Sequence, residues 1–165
     1  MKKMLTAFRA LIYMIAFVYL WAVIALSVRQ FDAKLGLLLP EGLIPVGVVL
    51  MAVGGILGLV CVGIFVFRGE GTAAPFDAPR RFVAVGPYRY VRNPMYIGGW
   101  IMLIGFSLFH LSASMFLFSF VWLILAHLFV ILYEEQVLAR RFGQSYQSYK
   151  VSVRRWVPKL PQSML

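Results

Sequence analysis

At 165 residues the chain has the length of one domain, but it is 62% hydrophobic and only 13% charged, which excludes an ordinary water-soluble domain. Its net charge of +10 does not argue for nucleic acid as a partner. The basic residues cluster at the ends of apolar runs and in two loops, where the positive-inside rule already accounts for them.

Several apolar runs approach or exceed the ~20 residues that span a ~30 Å hydrocarbon layer. None shows the alternation of a membrane barrel. The expectation is an all-α integral membrane protein with four transmembrane helices, the last two a helical hairpin, plus a C-terminal amphipathic segment. All of it, residues 1–165, reads as a single membrane domain.

In chain order, Lys2, Lys3 and Arg9 precede nineteen uncharged residues, 10–28. Ala25-Leu26-Ser27 loosely resembles a signal-peptide cleavage site, but the length of the run and its Phe17, Tyr19 and Trp21 favour a retained first helix. A short loop, 29–42, carries Arg29, Asp32, Lys34 and Glu41 and nets zero charge. The second span, 43–67, contains Gly54 and Gly58 in small-xxx-small spacing, which predicts close helix packing; a glycine-rich face is also able to line a groove for a lipid chain. Cys61 lies in this run, excludes an intrachain disulfide as the lone cysteine, and reads as a small apolar filler.

Residues 68–93 form a long cytoplasmic loop rich in arginine, and its Gly and Pro rule out a continuous helix. It ends in GPYRYVRNPMYIG, residues 86–98. There Gly86-Pro87 marks a turn, and Asn93-Pro94 is a helix-start signal, the Asn side chain accepting from a free N–H. The positive end of that helix, beside Arg89 and Arg92, suits an anionic group.

The forty apolar residues 94–133 are twice a span and are expected to break at 110–114 into helices 94–109 and 113–133. Glu134-Glu135 close them. The tail, 136–165, is basic and amphipathic. Gly143 reads as a helix stop, and Tyr146, Tyr149 and Trp156 as interfacial aromatics held against the membrane surface. Of the 16 Lys and Arg residues, 14 fall in the N-terminus, the long loop and the tail. This predicts cytoplasmic N- and C-termini in a bilayer, and the compact chain fits a bacterial inner (plasma) membrane. Every polar cluster able to do chemistry then faces the cytoplasm.

Glu134 and Glu135 read either as boundary residues pairing with Arg140 or Arg141, or as acceptors for hydroxyl or ammonium groups and a candidate base. His127, two turns earlier on the same face, is either a partner of these acids or a polar contact between helices. His110 receives no role. Two separated histidines without a cysteine pair make no metal site. Phosphate-cradling and dinucleotide-binding glycine motifs are absent, as is a serine nucleophile elbow. Few charges lie within the spans, which argues against a pump or transporter.

The ordered set RNPMYIG, a hydrophobic tract and EE resembles the signature of the isoprenylcysteine carboxyl methyltransferase family, which is Arg-His-Pro-x-Tyr-x-Gly, an apolar run and Glu-Glu. GPYRYVR upstream, with FGQSYQSYK and RRWVP downstream, is also similar to that family and its phospholipid methyltransferase relatives. The resemblance covers about residues 71–158. It implies a membrane enzyme using S-adenosylmethionine as cofactor to methylate a lipid-like or small hydrophobic substrate, whether carboxylate, thiol or amine.

Carried over by position, Tyr88, Arg89, Asn93, Tyr96, Gly98, Glu134 and Arg155 would bind the cofactor. Arg92, Glu134 and Glu135 would serve catalysis. Asn93 replaces the family's histidine and cannot titrate near neutral pH, and Arg154 stands where many relatives have proline. Two other readings differ in class: an NADPH-dependent reductase similar to the sterol reductases, and a non-catalytic membrane subunit, which would be expected to lose the Arg/Glu set present here.

Overall fold

The computed structural model describes residues 2–72, 77 and 79–158; parts of the long loop and the tail beyond Pro158 lie outside the described residues. Those described form six α-helices: α1 Lys2–Val28, α2 Asp32–Leu35, α3 Ile44–Ile64, α4 Pro94–Phe109, α5 Ala113–Phe129 and α6 Glu135–Ser152. Among them there is no strand, only an isolated bridge between Leu38 and Ser112. Among the described residues, three helical stretches are long and apolar enough to cross a membrane: Lys3–Leu35, Glu41–Gly69 and Ala113–Ser152. α4, with 16 residues, rises about 24 Å at ~1.5 Å per residue.

Two helices lengthen by loosening. α3 continues as a π-helical segment, Phe65–Gly69, and α5 as another, Val130–Glu134. π-segments widen the turn and often occur at functional sites. Both of these flank the cavity described below.

α3 and α4 pack backbone to backbone. A Cβ at Gly54 would lie 2.7 Å from the Met102 nitrogen and still closer to the Gly98 carbonyl oxygen. A Cβ at Gly105 would lie 2.6 Å from the Gly47 oxygen. The contact pairs Gly47 with Gly105 and Gly54 with Gly98, seven residues apart on each helix, so the helices run antiparallel. Gly58, expected as the partner of Gly54 in this packing, has open space where its own Cβ would sit.

The start of α5 is tied to the chain's first third. Ser112 Oγ accepts from the Met115 N–H at 3.2 Å, while Asp32 Oδ1 accepts from the Ser114 N–H at 2.8 Å and from its hydroxyl at 2.7 Å. Asp32 thus acts as a helix cap 82 residues away in sequence, where the sequence suggested only a loop charge. α1 is anchored above by Ala25, 1% exposed, and by Trp21, whose ring meets Trp122 edge-on at 6.0 Å. At its other end Arg9 approaches Asp77 of the long loop at 3.4 Å.

The tail departs from expectation. Gly143 breaks the helix but does not stop it: its backbone adopts φ +50°, ψ −126°, and helix resumes through Ser152. Tyr146 and Tyr149 are buried, not held at the membrane surface. They pack with Val153 against Phe82 of the long loop and Leu138, Ala139 and Phe142 of α6. In the sequence the positions 138, 142, 146, 149 and 153 recur every three or four residues, but the break at Gly143 falls among them, so their convergence is set by the kink and not by one helical face.

Candidate active site

The site is built where the end of the long loop, the first turn of α4, the π-segment after α5 and the tail converge. Gly86, at φ +60°, opens a tight turn over Gly86–Arg89 that only a residue without Cβ enters cheaply. The turn buries Tyr88, whose ring meets Phe65 edge-on at 5.3 Å. Arg89 points the other way and is exposed, outside the cavity.

Asn93 precedes α4, yet its side chain makes no cap bond. Its Nδ2 donates instead to the Arg155 carbonyl at 3.2 Å. The neighbouring Arg92 N–H donates to the Arg154 carbonyl at 2.9 Å, and the Tyr149 hydroxyl to the Tyr88 carbonyl at 2.7 Å. Three bonds therefore strap the tail to the loop and the root of α4.

Consecutive glutamates diverge. Glu134, last residue of the π-segment, accepts from the Tyr96 hydroxyl at 2.8 Å. Glu135 is 8% exposed and gathers three cations: Arg155 Nε at 2.7 Å, Arg92 Nη1 at 3.2 Å and Lys150 Nζ at 3.2 Å. Arg155 adds a second bond through Nη2 at 3.2 Å. The hydrogen bond to Glu135 raises the Arg155 pKa further above its usual value. The expected partners of the acids are elsewhere: Arg140 reaches Gln136, at 3.4 Å.

Arg92 is held differently from its neighbours. Its side chain is 10% exposed. Nη1 is ion-paired with Glu135 Oε1 at 3.2 Å, whereas Nε is buried without a hydrogen-bond partner. Buried donors normally have partners, and a charged one left unmatched is costly. Glu135 meanwhile is satisfied by Arg155 and Lys150.

Arg92, Asn93, Tyr96, Glu134 and Glu135 line one partly open cavity of about 90 Å³, together with Tyr88, Tyr146 and Tyr149. Phe65, Phe129, Val130 and Phe142 contribute an apolar wall. Arg89 and Gly98, expected at the cofactor, are not in this lining: Gly98 faces α3, where its Cβ would come 2.9 Å from the Gly54 oxygen. Arg155 is present through Glu135, not as a lining residue. Tyr146, Tyr149 and Lys150 were not among the expected site residues, because the break at Gly143 removes any helical register between them and Glu135.

A family model for phospholipid methyltransferases matches residues 43–145. The chain belongs to the phospholipid methyltransferase family. The match runs from the start of α3 into α6 and so includes every lining residue of the cavity except Tyr146 and Tyr149. No curated protein and no solved structure gives a significant match. The family is one of membrane methyltransferases, in keeping with the resemblance carried by RNPMYIG and EE. The three long apolar helices agree with that membrane character.

Proposed function

We propose that the protein is an integral membrane methyltransferase of the isoprenylcysteine carboxyl methyltransferase type, using S-adenosylmethionine at the cytoplasmic end of a four-span bundle. In this reading α4 is the short fourth span, both termini are cytoplasmic, and the membrane is a bacterial inner membrane. The carrying observation is that Arg92, whose buried Nε has no hydrogen-bond partner, shares a cavity with Glu134, fixed by Tyr96. A cation and an anion in one cavity match the carboxylate and ammonium of the cofactor's amino-acid end.

The donor set fits the cofactor, but the volume requires movement. About 90 Å³ is well below the ~300–1,000 Å³ of ligand pockets. Tyr146 and Tyr149 come from the tail beyond the break at Gly143, so displacement of that segment would widen the cavity. When bound, S-adenosylmethionine would supply an electrophilic methyl group for in-line transfer.

The chain's own residues would align, charge-match and exclude water. Arg92 holds an anionic group in place, and the apolar wall of Phe65, Phe129 and Val130 keeps water from the reacting atoms. A carboxylate or thiolate acceptor needs no base. An amine acceptor must lose a proton, and Glu134 is then the group placed to take it. A lipid-like or small hydrophobic acceptor suits the apolar wall.

The test is ligand-induced stabilisation of the purified protein in detergent. S-adenosylmethionine should raise the melting temperature and NADPH should not. The reverse result would overturn the methyltransferase reading in favour of a reductase; a response to neither would favour a non-catalytic subunit. Labelled cofactor incubated with a membrane extract would then identify the acceptor.

A further inference from the structure

Trp156 Nε1 donates to His127 Nδ1 at 2.8 Å. An indole N–H only donates, so Nδ1 is the accepting atom and the proton of the neutral imidazole sits on Nε2. His127 lies on α5, and Trp156 is 29 residues further on, in the strapped tail. Neither residue lines the cavity, so neither has a reason to be there that the site itself supplies.

The indole has a second contact. It stands edge-on to the Tyr96 ring, centroids 6.3 Å apart and planes at 75°. Tyr96 is also flanked by Trp122, at 6.4 Å, and Trp122 is braced in turn by Trp21 of α1. The hydroxyl bond to Glu134 fixes only the tip of the Tyr96 side chain. The ring's tilt is set by its aromatic neighbours, and a 2.8 Å hydrogen bond depends on that alignment.

We infer that His127 is a positioning residue for the Tyr96–Glu134 pair, acting through Trp156. His127 holds the indole N–H, the indole holds the Tyr96 ring, and the ring delivers its hydroxyl to Glu134. Without the acceptor, the half-buried indole N–H loses its partner and the ring turns to find water. Tyr96 then loses one wall. The inference rests on the reading that Tyr96 and Glu134 belong to the cofactor site.

The experiment uses the full chain in detergent, with S-adenosylmethionine as probe and two readouts: cofactor affinity by calorimetry and unfolding midpoint without cofactor. His127→Leu should weaken cofactor binding roughly tenfold, as expected for losing one aligned bond to a charged group. Trp156→Phe, which keeps a ring but removes the donor, should do the same. His127→Asn, which restores an acceptor, should recover most of the affinity.

The decisive comparison is a double-mutant cycle with Tyr96→Phe. His127→Leu should cost nothing further in affinity once the Tyr96 hydroxyl is gone, and the two substitutions should also be non-additive in the unfolding midpoint. A purely structural contact would add in both backgrounds. Additive losses, wild-type affinity in His127→Leu, or no recovery with Asn would each overturn the inference. If the wild-type protein binds no cofactor, the methyltransferase reading falls, and the cycle in the unfolding midpoint still decides whether His127 acts through Tyr96.

Discussion

Glu135 Oε1 receives Arg155 Nε at 2.7 Å while Glu134, one residue earlier, is bonded to Tyr96 on a different helix. The two acids both line the cavity but divide the labour: one clamps the tail through its ion pairs, the other bonds Tyr96 from the end of a π-segment. Glu135→Gln should therefore loosen the tail more than it alters the cavity. It leaves Arg92, Lys150 and Arg155 without their shared anion, a change that typically costs about 3 kcal/mol when a buried partner is removed. The partial exposure of Lys150 and Arg155 (34% and 28%) lowers that toward about 2 kcal/mol. Limited proteolysis should cut the tail near Gly143 faster, and unchanged protection would refute the clamp.

Arg89 and Arg92 stand three residues apart, and the structure separates their roles. Arg92→Ala should reduce S-adenosylmethionine affinity by roughly 1.5–3 kcal/mol, the range for a hydrogen bond to a charged group. Arg89→Ala, an exposed change, should stay within about 0.5 kcal/mol. Calorimetric titration of both variants checks the pair. Equal losses would remove Arg92 from its special position.

Helix packing offers a test of Gly98 independent of any ligand. Gly98→Ala and Gly54→Ala each push a methyl into the opposing backbone, where neither side has a flexible atom to yield. Each should destabilise by about 1–3 kcal/mol. Gly55→Ala meets open space and should be neutral or slightly stabilising, Ala being ~1 kcal/mol better than Gly in a helix. Unfolding in graded denaturing detergent ranks the three. A stable Gly98→Ala protein with lost cofactor binding would instead return Gly98 to the site.

Asp32→Ala should uncap α5 from a distance of 82 residues. Loss of a cap costs about 1 kcal/mol, and here the link to α2 goes with it. Hydrogen exchange at the Ser114 and Met115 amides should speed up while the cavity residues at the opposite end of α5 stay protected. Uniform exchange across α5 would contradict a local cap.

Much of the membrane character was legible in the sequence because hydrocarbon imposes a length and a composition that few soluble helices meet. The ordered pieces RNPMYIG and EE carried the family in the same way. Other features were not legible. Asn93-Pro94 has the form of a cap, but the Asn side chain serves the Arg155 carbonyl, a partner 62 residues away. The aromatic tail reads as interfacial from composition alone, since burial of Tyr146 and Tyr149 depends on Phe82 in a distant loop.

What the sequence alone determined is that the chain is helical, lies in a membrane and belongs with methyltransferases: these follow from runs of apolar residues and from a short ordered motif, both local properties. Only the tertiary structure decided that Glu134 pairs with Tyr96 while Glu135 binds the tail, and which arginine enters the cavity with a buried Nε lacking a partner. Adjacent side chains on a helix point about 100° apart, and a π-segment shifts that register further. The partners of Glu134, Glu135 and Arg92 were therefore set by where α4 and the tail come to rest, which no stretch of local sequence encodes.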